Sequence, residues 1–131
     1  MSGGRREAVY TDKAPRPVGP YSQGVVAGGC ILFVSGQIPI DPETGELVKG
    51  SFEEQARRAL ENLKAVVEAA GGSMDDLVKV TVYITDMDRF GEFNKIYSEY
   101  FRSAPPARAV VEVSRLPLGV PIEIEAIAYL C

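Results

Sequence analysis

The run Cys30-Ile31-Leu32-Phe33-Val34 is apolar at every position and constrains the fold more than any other stretch. An unbroken apolar run of this kind reads as a strand buried on both faces. Whatever surrounds it must therefore provide two layers of cover. The Gly28-Gly29 pair just before it is a hairpin signal, joining it to a preceding strand over 21–27.

The rest of the chain supplies one of those layers. A short strand is expected over 7–11, followed by a proline-rich turn from Ala14 to Pro20. Residues 36–50 hold Pro39, Pro42, Gly45 and Gly50 and read as a loop with a turn at 43–45. Ser51 with Glu54 three residues on forms a capping-box pattern. The helix it opens sets Phe52, Ala56, Ala59, Leu60, Leu63, Val67 and Ala70 against charged residues, and ends at Gly71-Gly72. After a helical turn at 73–76, residues 78–85 alternate, with Val78, Val80, Val82 and Ile84 on one face and Lys79, Thr81, Tyr83 and Thr85 on the other. A second helix, capped by Asp88, runs to about Phe101, its apolar face including Phe90, Phe93, Tyr97, Tyr100 and Phe101. Asn94 shares that face. Strands over 107–113 and 122–129 complete the order β-β-β-α-β-α-β-β.

This predicts a single α+β domain over 1–131, a mixed sheet with two helices on one face, and residues 1–6 as a flexible extension. Nothing in the chain is left to cover the other face, so a second copy of the chain is expected to bury it.

Histidine is absent. Ser-His-Asp and Cys-His triads, zinc hydrolases and zinc-dependent base deaminases all need an imidazole, so none is expected. Cys30 and Cys131 form no CxxC pair and read as unpaired, since 131 residues can build a core without a disulfide. Unpaired cysteines make the cytoplasm the expected compartment. With 14 basic and 18 acidic residues scattered along the chain and a net charge of -4, there is no basic footprint for nucleic acid. The longest apolar-rich stretch, 25–34, is interrupted by two glycines and too short to span a membrane.

A few polar residues stand out against this background. Arg108, at the start of an apolar strand, pairs with Glu112 on its own face, snorkels to the surface, or grips a carboxylate bidentately. Glu123 and Glu125 share one face of the last strand, either blunting an exposed surface or activating a water. Asn94 caps a loop inside the core or donates into a pocket. Tyr21 and Ser35-Gly36 lie at strand ends, where sites are usually built. Ser35 has no imidazole to make it a nucleophile.

Gly19-Pro20-Tyr21-Ser22-Gln23, Val34-Ser35-Gly36-Gln37-Ile38-Pro39, Asn62-Leu63-Lys64-Ala65-Val66, Phe93-Asn94-Lys95-Ile96-Tyr97, and 106–113 through 122–126 occur in an order and spacing that resembles the reactive intermediate deaminase (Rid, or YjgF) family over about 11–129. The RidA-type 2-iminobutanoate/2-iminopropanoate deaminases are the subgroup it looks most like. The resemblance implies a chorismate-mutase-like fold, a homotrimer with sites between subunits, and hydrolysis of 2-imino acids to 2-oxo acids and ammonia without metal or cofactor. It would make Arg108 the holder of the substrate carboxylate and Glu123 the group that orients or activates water. Tyr21, Ser35 and Asn94 would line the pocket, and the backbone of Gly36 and Val110 would add hydrogen bonds. Many members carry Cys where this chain has Val110. Two other readings stand beside it: a non-catalytic module that binds small carboxylates or acts as a holdase, and an endoribonuclease or translation inhibitor, which the charge disfavours.

Overall fold

The computed structural model describes residues 5–131. Its elements are β1 (Arg6–Val9), β2 (Gly24–Ala27), β3 (Ile31–Gln37), α1 (Phe52–Ala69), β4 (Leu77–Ile84), α2 (Phe90–Ser98), β5 (Ala107–Glu112) and β6 (Ile122–Tyr129), with short 3-10 turns at Met74–Asp76, Met87–Arg89 and Pro117–Gly119. The six strands form one mixed sheet in the order β1-β2-β3-β6-β4-β5, antiparallel throughout except for β4 beside β5. That parallel pair needs a crossover, which α2 provides. The expected element order and α+β architecture hold. Of the expected N-terminal extension, residues 1–4 lie outside the described residues, and Arg6 opens β1.

Each helix forms for a local reason. Ser51 Oγ accepts the amide of Glu54 while the Glu54 carboxylate accepts the amide of Ser51, so the capping box closes as predicted and is worth about 1 kcal/mol. Gly71, at φ 94°, takes the left-handed turn that ends the helix. The cap of the second helical segment sits earlier than expected: Asp86, rather than Asp88, accepts the amide two residues on and starts a 3-10 turn that leads into α2. Both helices pack on one sheet face, where Leu32, Val34, Val80, Val82, Ile122, Ile124, Ala126 and Ala128 meet Leu60, Leu63, Val66, Val67, Phe93 and Ile96.

Two buried amides tie irregular segments to this core. The Asn62 amide donates to the carbonyls of Ile38 and Ile40 and holds the long loop against α1. Gln23, 1% exposed, accepts the amide of Thr11 and donates to the carbonyls of Thr11, Ala14 and Pro15. That fixes the proline-rich segment, whose prolines give it no strand ladder. Three sheet-level expectations need correction. Residues 21–23 are not part of β2, since they serve this anchoring instead. Val78 is exposed, because a register shift between Leu77 and Lys79 places Leu77, not Val78, in the buried row. The apolar run of β3 is covered on one side only: Leu32 and Val34 are buried, while Ile31 and Phe33 are exposed, Phe33 at 47%.

The cysteines also depart from expectation. Ile31 pairs with Tyr129 at the end of the β3–β6 ladder, which brings the Cα atoms of Cys30 and Cys131 to 5.2 Å, and they form a disulfide across a sequence separation of 101. Sequence spacing gives no sign of this pair, because only the strand order makes the two cysteines neighbours. With the thiols paired, unpaired cysteines no longer argue for any compartment. No helix is long and apolar enough to cross a membrane among the described residues.

A cross-link over so long a loop constrains the unfolded chain strongly. Reduction, or Cys131→Ser, is expected to lower unfolding free energy by about 2–5 kcal/mol, measured by denaturant titration with and without reductant. Two alkylatable thiols in the unreduced native protein, or coincident transitions, would count against the bond.

Candidate active site

Laterally paired residues in a sheet point to the same face, and this sorts the candidate residues into two groups. Val80, buried under the helices, pairs with both Ala126 and Arg108, and Val82 pairs with Ile124 and Val110. Arg108 and Val110 therefore face the helices. Tyr83, one register step out of that row, pairs with Glu123 and Val111, and Thr81 pairs with Glu125. Glu123 and Glu125 therefore lie on the open face.

The Glu123 side is built around a bulge. Val34 pairs with Ala126 and Gln37 with Ile124, so Ser35 and Gly36 together oppose the single residue Glu125. Such an extra residue re-aims the side chains around it. Ser35 donates its hydroxyl to the carbonyl of Ser22 at 2.6 Å, and its amide donates to the carbonyl of Gln23 at 2.9 Å. Gly36 leaves the space that the Glu123 carboxylate occupies: a Cβ there would stand 2.7 Å from the carboxyl carbon. Tyr21 closes the group, its hydroxyl accepting the amide of Val18 at 3.3 Å and keeping its own proton to donate. Together with Val18, Ile38 and Pro117, these residues line a cavity of about 320 Å³. Partial burial, with a smaller contribution from Glu125, raises the Glu123 pKa above the ordinary carboxylate value.

The Arg108 side is a separate cavity of about 410 Å³ at the sheet edge, which Asn94, Tyr97, Phe101, Pro105 and Pro106 also line. The expected pairing of Arg108 with Glu112 does not occur. Glu112 accepts the amide of Met87 at 2.8 Å, and among the described residues no carboxylate lies within ion-pair distance of Arg108. Its guanidinium instead stacks near the rings of Tyr97 and Phe90. Asn94 faces this cavity rather than capping a core loop, with no side-chain hydrogen bond among the described residues. Val110 packs against the core and lines neither cavity.

Within one chain, then, Tyr21, Ser35, Gly36 and Glu123 are brought together, and Asn94 with Arg108, but the sheet separates the two groups. The sequence reading missed the aromatic contacts of Arg108. The signal available was the i, i+7 spacing of Phe90 and Tyr97, but nothing in the sequence says that β5 runs beneath that face of α2.

The chain matches the Endoribonuclease L-PSP family over residues 11–130. A RutC family protein of Pyrococcus abyssi is 59% identical over 95% of this chain and 97% of its own length. The mouse 2-iminobutanoate/2-iminopropanoate deaminase is 46% identical over 98% of this chain and 94% of its own. Among solved structures, E. coli TdcF with bound serine matches with a TM-score of 0.90 at 45% identity, over 95% of this chain and 99% of that one. RidA of an Antarctic Psychrobacter matches with a TM-score of 0.90 at 46% identity and the same coverages. The motif resemblance, the family match and these structural neighbours agree: the chain belongs to the Endoribonuclease L-PSP family, the Rid family.

Proposed function

We propose that the protein is a hydrolytic deaminase of small 2-imino acids such as 2-iminobutanoate and 2-iminopropanoate, acting as a homotrimer whose sites form between copies. The observation that carries this reading is the pair of half-sites: an arginine without an intrachain anion on one, a partly buried carboxylate over a glycine on the other. The activity named for the mouse relative and the serine bound to TdcF support an amino-acid-like ligand.

Arg108 takes the substrate carboxylate in a two-pronged hydrogen-bonded pair. Glu123, from a neighbouring copy, accepts a proton from water as its oxygen adds to the imine carbon. The same proton then passes to nitrogen to give a tetrahedral carbinolamine. Glu123 next takes the proton of the new hydroxyl and returns it to nitrogen as the carbonyl forms and the carbon–nitrogen bond breaks, so ammonia leaves behind a 2-oxo acid. Tyr21 and Ser35 orient the water and the departing nitrogen. An imine is reactive enough in water for positioning and one proton carrier to suffice, so the missing histidine is no obstacle. A carboxyl whose pKa is raised exchanges protons closer to neutral pH than an ordinary glutamate would.

The exposed row of Ile31, Phe33, Val111 and Tyr129 on the open face fits burial against a second copy. Edge strand β5 of one copy can bring Arg108 to the open face of another, which a single chain cannot do for itself.

With imine generated by an amino-acid oxidase in the presence of semicarbazide, wild-type protein is expected to speed 2-oxo acid formation. Arg108→Ala should raise KM about 10- to 100-fold, and Glu123→Gln should lower kcat at least about 100-fold. Co-expressed Arg108→Ala and Glu123→Gln chains should recover activity that neither has alone. No acceleration with retained 2-oxo acid binding would favour a binding module. Cleavage of single-stranded RNA that Arg108→Ala abolishes would favour a nuclease. A single 14.2 kDa species on gel filtration would overturn the shared site.

The raised pKa also sets a sign for stability. Because the unfolded carboxyl ionises first, Glu123 costs the native state nothing at pH values below the ordinary carboxylate range, and an increasing penalty as pH rises through its folded value. Glu123→Gln is therefore expected to melt higher than wild type at pH 7, with the gap closing toward pH 4. Thermal melts across that range test this, and an equal or reversed gap would refute it.

A further inference from the structure

Cationic side chains are usually fixed by anions, and a fixed anion would compete with an acidic ligand. Arg108 is held another way. Its guanidinium carbon lies 4.7 Å from the ring centre of Tyr97 and 5.6 Å from that of Phe90, both inside the range of cation–π attraction. The two rings stand seven residues apart on α2, two turns along one face. Tyr97 is itself immobilised: it is 6% exposed and packed between Phe93 at 5.5 Å and Phe101 at 4.7 Å. Its hydroxyl is buried with no hydrogen-bond partner among the described residues, and burial pushes the phenol up to about 12, so the ring stays neutral. A buried hydroxyl with no partner adds no stabilising bond, so the contacts that hold Tyr97 in place and join it to Arg108 are those of its ring.

We propose that Tyr97 and Phe90 form an aromatic cradle that orients the Arg108 guanidinium without neutralising it, making Tyr97 a positioning residue for binding of the substrate carboxylate. This rests on the reading of Arg108 as the carboxylate anchor. Stacking restricts the planar group while leaving its N–H donors free, so less freedom is lost when the ligand binds. The cradle acts on the ligand's carboxylate, which is present alike in substrate and transition state, so its loss appears in KM rather than kcat.

The test measures binding of 2-oxobutanoate by calorimetry and turnover of the imine in parallel. Tyr97→Leu is expected to raise Kd and KM about tenfold with kcat within twofold of wild type. Tyr97→Phe, which keeps the ring and removes the unpartnered hydroxyl, should restore both and melt no lower than wild type. In an Arg108→Ala background, Tyr97→Leu should have no further effect on Kd. Should Tyr97→Leu fail to fold, Phe90→Leu, at the more exposed flank, carries the same test with an expected rise of about threefold. Wild-type affinity in Arg108→Ala would remove the anchor reading itself. Loss of binding in Arg108→Ala with wild-type affinity in Tyr97→Leu would overturn the cradle alone, as would a Tyr97→Leu effect of equal size with and without Arg108.

Discussion

The antiparallel ladder between β3 and β6 joins features that the chain order keeps far apart. Its bulge aligns Ser35 and Gly36 against Glu125, and the Cβ-free backbone at Gly36 gives Glu123 its place. Its far end brings Cys30 to Cys131. A slip of one residue in this pairing would send Glu123 into the helix-covered core and Ile122 and Ile124 to the open face. The register is fixed because Leu32, Val34, Ala126 and Ala128 must all reach the same buried layer.

That layer uses both helices, and the opposite face of the sheet gets none. The apolar side chains of β3 divide between the two, which is why one chain satisfies only half of what its most apolar strand asks for. The same division separates Arg108 from Glu123. In the roles proposed for them, carboxylate anchor and proton carrier, the two cannot share a ligand across one sheet, so on that proposal incomplete cover and incomplete chemistry have one physical origin. The proposed assembly resolves both together.

Much of this was legible from local chemistry. The capping box at Ser51, the left-handed glycine after α1 and the alternation of β6 each follow from residues within a few positions of one another. The split between Tyr83 and its valine neighbours was also readable, as was the lack of cover for a second sheet face. What stayed hidden depends on strand order or on loop anchoring. Gln23 and Asn62 look like surface amides until the carbonyls they serve are folded around them. Val78 fits the alternation, and only the bulge at the start of β4 turns it outward. Likewise, Glu112 offered Arg108 a partner by spacing, but the turn before α2 takes that carboxylate. The site residues stood out by their positions on strand faces, on a helix face and at strand ends, and motif resemblance supplied the roles expected of them. Their placement on opposite faces needed the β4 register.

The disulfide changes what kind of object the chain is. Topologically, everything from the start of β3 to the end of β6, with both helices and β4 and β5 between, is a closed ring. β1 and β2 form a tail outside it, attached by the ladder of β2 on β3 and by the hydrogen bonds that Ser35 donates to the carbonyls of Ser22 and Gln23. Oxidised protein thus has a natural seam, with the ends of the ring joined covalently and β1 and β2 held to it by non-covalent contacts alone apart from the single chain connection. Tyr21 belongs to the tail, while Ser35, Gly36 and Glu123 belong to the ring, so the candidate site straddles the boundary that the covalent closure draws.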